Sequence, residues 1–345
     1  MAFISEYGMF LLKAATLLVA LLVVIRVVVR ATSRNPSPGE GTLRVKKLNR
    51  VYQRLGDRVR TRILSKAERK ALVKARKAET KAEERGDAGA QKQTSRLYVL
   101  RFVGDIRASA VESLRQEITA LLAVAQPGDE VLLRLDSSGG LVNAYGLAAS
   151  QLDRLRQRDI RLTVSVDRIA ASGGYMMACV ADRILAAPFA VVGSIGVVAT
   201  IPNVHRVLKK HDVDVELITA GEHKRTLTVV GENTDKGRAK FTEQIEEAHG
   251  LFKDFVARYR PQLDMAAVST GEHWYATRGA DLGLVDELQT SDDYLVAAVE
   301  QRSVYEVRFE PRRTVSNRLA SFVDATARRL FNAGWQASRD IRYGI

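Results

Sequence analysis

Three features of the sequence predict an α/β domain carried behind an N-terminal membrane anchor. Short β-rich runs alternate with helical patterns from Leu97 onward, and such alternation signals an α/β domain. One long apolar stretch, Gly8 to Val29, stands near the N-terminus. The positive charge lies between these two regions: residues 34–96 carry 19 Lys/Arg against 7 Asp/Glu, whereas residues 97–345 carry 31 against 32.

The anchor comes first along the chain. GMFLLKAATLLVALLVVIRVVV is long enough to cross a bilayer core at about 1.5 Å per residue. Lys13 and Arg26 sit near its ends, where long basic side chains reach the headgroups. A cleaved signal peptide fits worse, because the basic leader is missing, the apolar core is too long and no A-x-A site follows. Asn35-Pro36-Ser37-Pro38-Gly39 then breaks the helix.

Leu48, Val51, Tyr52, Leu55, Val59 and Ile63 recur at helical spacing and predict an amphipathic helix. Lys66 to Glu84 is almost wholly Lys, Arg, Ala and Glu, the composition of a solvated helix or a disordered tether. Beside anionic lipid its basic residues are worth about 1 kcal/mol each. No aromatic residue stands there to stack on bases, and the near-neutral remainder excludes a basic DNA-binding domain, so no nucleic-acid partner is expected.

Within the α/β region, strands are predicted at Leu97 to Val103, Glu130 to Leu135 and Leu162 to Val166, with helices at Ala110 to Ala125 and Leu141 to Arg156. A strand near Val215 to Thr219 and a long amphipathic helix from Asp235 to Tyr259 follow. Ile184 to Ile201 has no charge over 18 residues and passes as a second membrane span by length. Pro188, Gly193, Ser194 and Gly196 cut it into strand-and-turn pieces, so it reads as sheet core. Near the C-terminus Leu319, Phe322, Val323, Ala327, Leu330, Phe331 and Trp335 predict another amphipathic helix, packed on protein or lying on a membrane surface. The expected divisions are 1–33 anchor, 34–96 basic linker, 97–300 α/β domain and 301–345 C-terminal extension.

A single cysteine, Cys179, excludes an intramolecular disulfide and a thiolate metal cluster. No H-x-x-x-H pair occurs among five histidines, which argues against a zinc hydrolase, and nothing else in the sequence implies a metal or an organic cofactor. Three short motifs carry chemistry instead. Arg134-Leu135-Asp136-Ser137-Ser138-Gly139-Gly140 ends a strand with paired glycines, which let backbone amides point into a cleft. Ala171-Ser172-Gly173-Gly174-Tyr175 follows a strand and opens a helix predicted over Tyr175 to Val180. Ser172 there is either a helix N-cap or a nucleophile. Thr219-Ala220-Gly221-Glu222-His223-Lys224-Arg225 offers a lysine, which acts as a base only when burial or a nearby cation keeps it neutral. A histidine base for Ser172 would come from His205, His211, His223, His249 or His273. His205 and His211 fall in a polar helix and His249 in a charged one, while His223 and His273 stay open.

Taken together, these motifs resemble the signal peptide peptidase A family of serine peptidases, in its SohB-type membrane-anchored branch. The likeness runs through SEYG at Ser5 to Gly8, ASGGYMMACVAD at Ala171 to Asp182, APFAVVGSIGVV at Ala187 to Val198, KRTLT at Lys224 to Thr228, GENT at Gly231 to Thr234 and GEHWY at Gly271 to Tyr275. The resemblance implies a ClpP/crotonase-like fold and a Ser-Lys dyad, with Ser172 the nucleophile and Lys224 the general base. Ser194 would orient the lysine, and the amides of Gly140 and Gly173 would form the oxyanion hole. The family usually has proline where Ser138 stands; this change removes a pre-set φ but no amide donor.

The implied activity is a serine endopeptidase of the bacterial inner membrane, acting on unfolded or membrane-derived peptides as a homo-oligomer. The basic flank of the anchor puts the domain in the cytoplasm by the positive-inside rule, whereas the family's peptide-clearing role implies the periplasmic face. Two other readings stand beside it: a crotonase-like acyl-thioester enzyme, which would need neither Ser172 nor Lys224, and a proteolytically silent membrane scaffold.

Overall fold

The computed structural model describes residues 41–85 and 95–312, together with Lys13, Thr16 and Val24, which are helical. By contact the chain divides into two units. One comprises Met1–Thr42 and Glu310–Ile345 and lies almost entirely outside the described residues. The expected anchor and the expected C-terminal amphipathic helix both fall there. Among the described residues, no helix is long and apolar enough to cross a membrane.

The other unit, Leu43–Phe309, begins earlier than the boundary expected at residue 97. Strand β1 (Gly41–Lys47) leads into helix α1 (Leu48–Ile63) and then α2 (Lys66–Arg85). Leu48 is buried against Leu97, Val99, Leu132, Leu295 and Val304, which fixes α1 to the domain. The Asn49 side chain completes the joint. Its Nδ2 donates to the carbonyls of Val299 and Arg302, both at 2.8 Å, and its Oδ1 accepts from Val304 N at 2.8 Å. Residues expected in the linker are thus part of the folded body.

The α/β core follows in the predicted order: β2 (Leu97–Val103), α3 (Val111–Leu122), β3 (Glu130–Ser137), α4 (Val142–Arg156), β4 (Arg161–Ala171) and α5 (Gly173–Ala178). Strands β5 (Arg183–Ala186) and β6 (Val191–Gly193) come next, and then α6 (His205–Lys210) and α7 (Asp235–Tyr259). The chain continues through α8 (Met265–Val268), β7 (His273–Tyr275), α9 (Ala276–Asp281), β8 (Glu287–Leu288), α10 (Ser291–Gln301) and β9 (Val304–Pro311). The main sheet order is β1-β9-β2-β3-β4-β5-β8, with β2 through β5 parallel. Strands β2 and β3 are buried along nearly their whole length, as expected for a parallel sheet covered on both faces. This α/β architecture fits the ClpP-like class that the resemblance implies.

The uncharged run 184–201 is sheet and turn, not a span: Ile184, Leu185, Ala186, Val192 and Ile195 are buried in the core. One expected strand does not form. Residues 215–219 pair with no strand among the described residues, and Val215, Leu217 and Ile218 are exposed. Such an apolar run signals a surface that needs cover, and among the described residues no strand lies beside it.

Candidate active site

Strand β4 changes partners along its length, and the site lies at the end where it does so. Its first half pairs with β5, Thr163 to Val166 facing Arg183 to Ala186. Its second half turns to β6, with Ala171 opposite Gly193. The register with β3 slips at the same place, between Leu135 and Ser137. Ser172 therefore leaves the sheet where β3, β4 and β6 diverge, and its amide donates to Gly193 O at 2.8 Å.

Ser172 occupies the N-cap position of α5 but does not cap it. Its side chain accepts no bond from the helix, and its backbone sits at φ 52°, ψ −120°. N-cap residues adopt extended backbone, and a non-glycine residue at positive φ is strained by about 1–3 kcal/mol. The cap reading thus loses its geometric basis, and strain of this kind clusters at reactive positions. The helix itself begins at Gly173, two residues before the expected start.

Ser194 shares this feature, with φ 53° directly after Gly193 at φ 92°. Its amide donates to Glu272 O at 2.6 Å. Strand β7 runs antiparallel to β6 and sets His273 opposite Gly193 and Trp274 opposite Val192. A side chain at Gly193 would run into the Trp274 ring at 2.7 Å, so glycine is required there. The motif GEHWY is thus the strand that backs Gly193 and Ser194.

The paired glycines of the first motif close over Ser172. Gly139 has φ 90°, and a Cβ placed on it would lie 2.7 Å from Gly173 N and 2.9 Å from Ser172 Cβ. Among the described residues, the amides of Gly140 and Gly173 have no hydrogen-bond partner. One free donor thus sits on the glycine loop after β3 and the other on the first residue of α5, next to Ser172; donors of this kind hold an oxyanion when they converge on it.

Lys224 is placed differently. It lies in an exposed turn, its amide donating to Gly221 O at 3.1 Å. Among the described residues, no hydrogen bond joins its side chain to Ser172 or Ser194. The motifs around it brace the segment. Asn203 Nδ2 donates to the carbonyls of Thr228 and Gly231, Asn233 Oδ1 accepts from Thr228 N, and Thr234 caps α7 by accepting from Gly237 N. Of the histidines, His273 is one strand removed from the Ser172 turn, and His223 stands 3.8 Å from Glu222 in the exposed turn. His205 and His211 border α6, and His249 lies in α7. Cys179 is fully buried, and burial pushes its thiol far above the usual range, which leaves it unreactive.

Two residues at the site escaped sequence reasoning. Tyr145 and Ser137 are buried beneath the glycine loop, with Ser137 Oγ and Tyr145 Oη 2.6 Å apart. Ser137 falls within the first motif but has no role of its own there, and a tyrosine on the inner face of α4 carries no signal beyond ordinary core packing.

Known proteins resemble this chain over most of its length. The model of the peptidase family S49 N-terminal region matches residues 2–152, and that of peptidase family S49 matches residues 154–305. A probable protease SohB of Haemophilus influenzae is 45% identical over 99% of both chains. A probable protease SohB of Buchnera aphidicola subsp. Schlechtendalia chinensis is 46% identical, covering 86% of this chain and all of that one. Another, from the Acyrthosiphon pisum subspecies, is 54% identical over 66% of this chain and 68% of its own. On these matches and on the order of its motifs, the chain belongs to peptidase family S49 and is a SohB-type peptidase.

Proposed function

We propose that the protein is a membrane-anchored serine endopeptidase in which Ser172 is the nucleophile and Lys224 the general base. The observation that carries this reading is the strained backbone of Ser172 at a β4–α5 junction flanked by two unpartnered glycine amides. Neutral Lys224 accepts the Ser172 hydroxyl proton as Oγ bonds to the carbonyl carbon of the substrate. The negative oxygen so formed accepts hydrogen bonds from the amides of Gly140 and Gly173, each worth roughly 3–4 kcal/mol in the transition state. The C–N bond then breaks, and the lysine ammonium gives its proton to the leaving amine. Water then gives a proton to Lys224 as it attacks the acyl ester; the ester C–O bond breaks, the lysine ammonium returns that proton to Ser172 Oγ, and the acid is released. Ser194 orients the lysine.

This role asks for a buried Lys224, and the single chain leaves it exposed. Val215, Leu217 and Ile218, a few residues upstream, are exposed as well, Ile218 at 90%. Apolar surface of this kind marks an interaction site, which supports a homo-oligomer whose assembly covers the lysine turn. Residues 8–29 are proposed as the anchor, and with the cleft held near a bilayer, unfolded or membrane-derived peptides are the proposed substrates.

Incubating the wild type and the Ser172→Ala variant with an unfolded protein and with a signal-sequence peptide tests this. Mass spectrometry is expected to find internal cleavage of both by the wild type and none by the variant. Equal cleavage by the two would overturn the assignment of Ser172.

A further inference from the structure

We infer that Tyr145 and Ser137 are positioning residues that set the Gly140 amide for the oxyanion; this rests on the Ser172 reading above. Tyr145 Oη donates to Asp105 O at 2.8 Å. A phenol has one proton, so toward Ser137, at 2.6 Å, it accepts and the serine donates. Ser137 Oγ in turn accepts from Gly139 N at 3.1 Å. The chain therefore has one direction, from the Gly139 amide through two hydroxyls to the Asp105 carbonyl, and such chains polarise cooperatively.

The next tether lies just beyond. Leu141 N donates to Ile106 O at 2.8 Å. The amides of Gly139 and Leu141 are thus both tied, and the Gly140 amide between them is the one without a partner among the described residues. The close fit explains the glycine: a Cβ on Gly140 would meet Ile106 O at 2.2 Å. Both acceptor carbonyls belong to the turn after β2. The Asp105 carboxylate holds that turn by accepting from Ser109 N at 2.8 Å and Arg107 N at 3.1 Å, bonds that keep its pKa below the usual carboxylate range.

Tyr145 also reaches the second donor. A Cβ on Gly173 would come within 2.5 Å of the Tyr145 ring, so the ring backs the peptide that carries the other free amide. On Gly104 a Cβ would fall 2.1 Å from Ser137 Oγ and 2.3 Å from Tyr145 Oη, which leaves this pair no room to shift. One side chain, fully buried, thus spaces both oxyanion donors.

The test uses the full chain with Tyr145→Phe, Ser137→Ala and the double variant. Each single variant is expected to lose about 10- to 100-fold in kcat with KM nearly unchanged, because loosened donors act on the transition state. Affinity for a peptide aldehyde, which forms a tetrahedral adduct, should fall by the same factor, while affinity for an uncleaved product peptide holds. The double variant should be no worse than the single ones, since both break one chain. Wild-type kcat and aldehyde affinity in both single variants, with Ser172→Ala inactive, would overturn the proposal alone. Loss of fold in both would reduce the pair to a structural strut and overturn it as well. Turnover surviving in Ser172→Ala would instead defeat the reading on which it rests.

Discussion

Two segments meet in the proposed chemistry, and they are built in opposite ways. Around Ser172 the chain is closed: α5 is wholly buried, β4 is paired on both sides, and the glycine loop packs on the nucleophile's own Cβ. Around Lys224 the chain is open: an unpaired apolar run leads to an exposed turn held by backbone bonds and by asparagines further along. The nucleophile and its donors are pre-organised by the fold of one chain. The proposed base is carried on a segment that is exposed among the described residues. If the proposed dyad and assembly hold, an isolated chain is inactive until it assembles.

A glycine in each region makes the comparison measurable. Gly139 and Gly221 both have positive φ, 90° and 95°. A Cβ on Gly139 would strike Gly173 N and Ser172 Cβ, whereas on Gly221 it would meet only Lys224 Cβ at 4.0 Å. Gly139→Ala is expected to lower kcat/KM by at least about 100-fold and stability by about 2 kcal/mol or more, read from peptide hydrolysis and urea unfolding. Equal stability of Gly139→Ala and wild type would mean that the loop is not closed on Ser172.

On the open side, Ile218→Asp should leave the unfolding midpoint of the isolated chain unchanged. Sedimentation should show smaller assemblies, and hydrolysis should drop about 10-fold or more. An unchanged oligomer would remove the proposed cover from the lysine turn. A third effect separates burial from contact. Glu117 is buried, accepts from Phe309 N at 2.8 Å, and desolvation pushes its carboxyl up to about 7. A raised carboxylate pKa means that the folded state binds the extra proton, so this group's contribution falls as pH rises from about 4.5 to about 7. Glu117→Gln should therefore stabilise the protein by roughly 3 kcal/mol at pH 8 and hardly at all at pH 4.5, by urea unfolding at both. The smallest effect is expected at Gly221→Ala, about 1 kcal/mol from backbone strain alone.

The same contrast decides what could be read from the sequence. Strands β2 and β3 were legible because burial on both faces makes them almost continuously apolar, and α4 and α7 because their periodicity is long. The run at 215–219 has strand periodicity too, but a period of two records a face that needs cover and not a partner that supplies it. Ser172 reads equally as a cap or a nucleophile in sequence, and only its φ separates the two. Tyr145 and Ser137 were illegible because their roles depend on a carbonyl some forty residues upstream of Tyr145, which composition and spacing do not encode. The helix α1 was legible from its apolar spacing, but its docking, through buried Leu48 and the Asn49 side chain, was not, because its partners lie some fifty to 250 residues further along.

Labelling with a serine-reactive fluorophosphonate tests the central claim most directly, in wild-type, Ser172→Ala and Lys224→Ala proteins shown to be folded and assembled. The account predicts one labelled site in the wild type and none in either variant. Labelling that persists in Lys224→Ala but not in Ser172→Ala would contradict it and hand the base role to a histidine, with His273 the nearest in the sheet to Ser172.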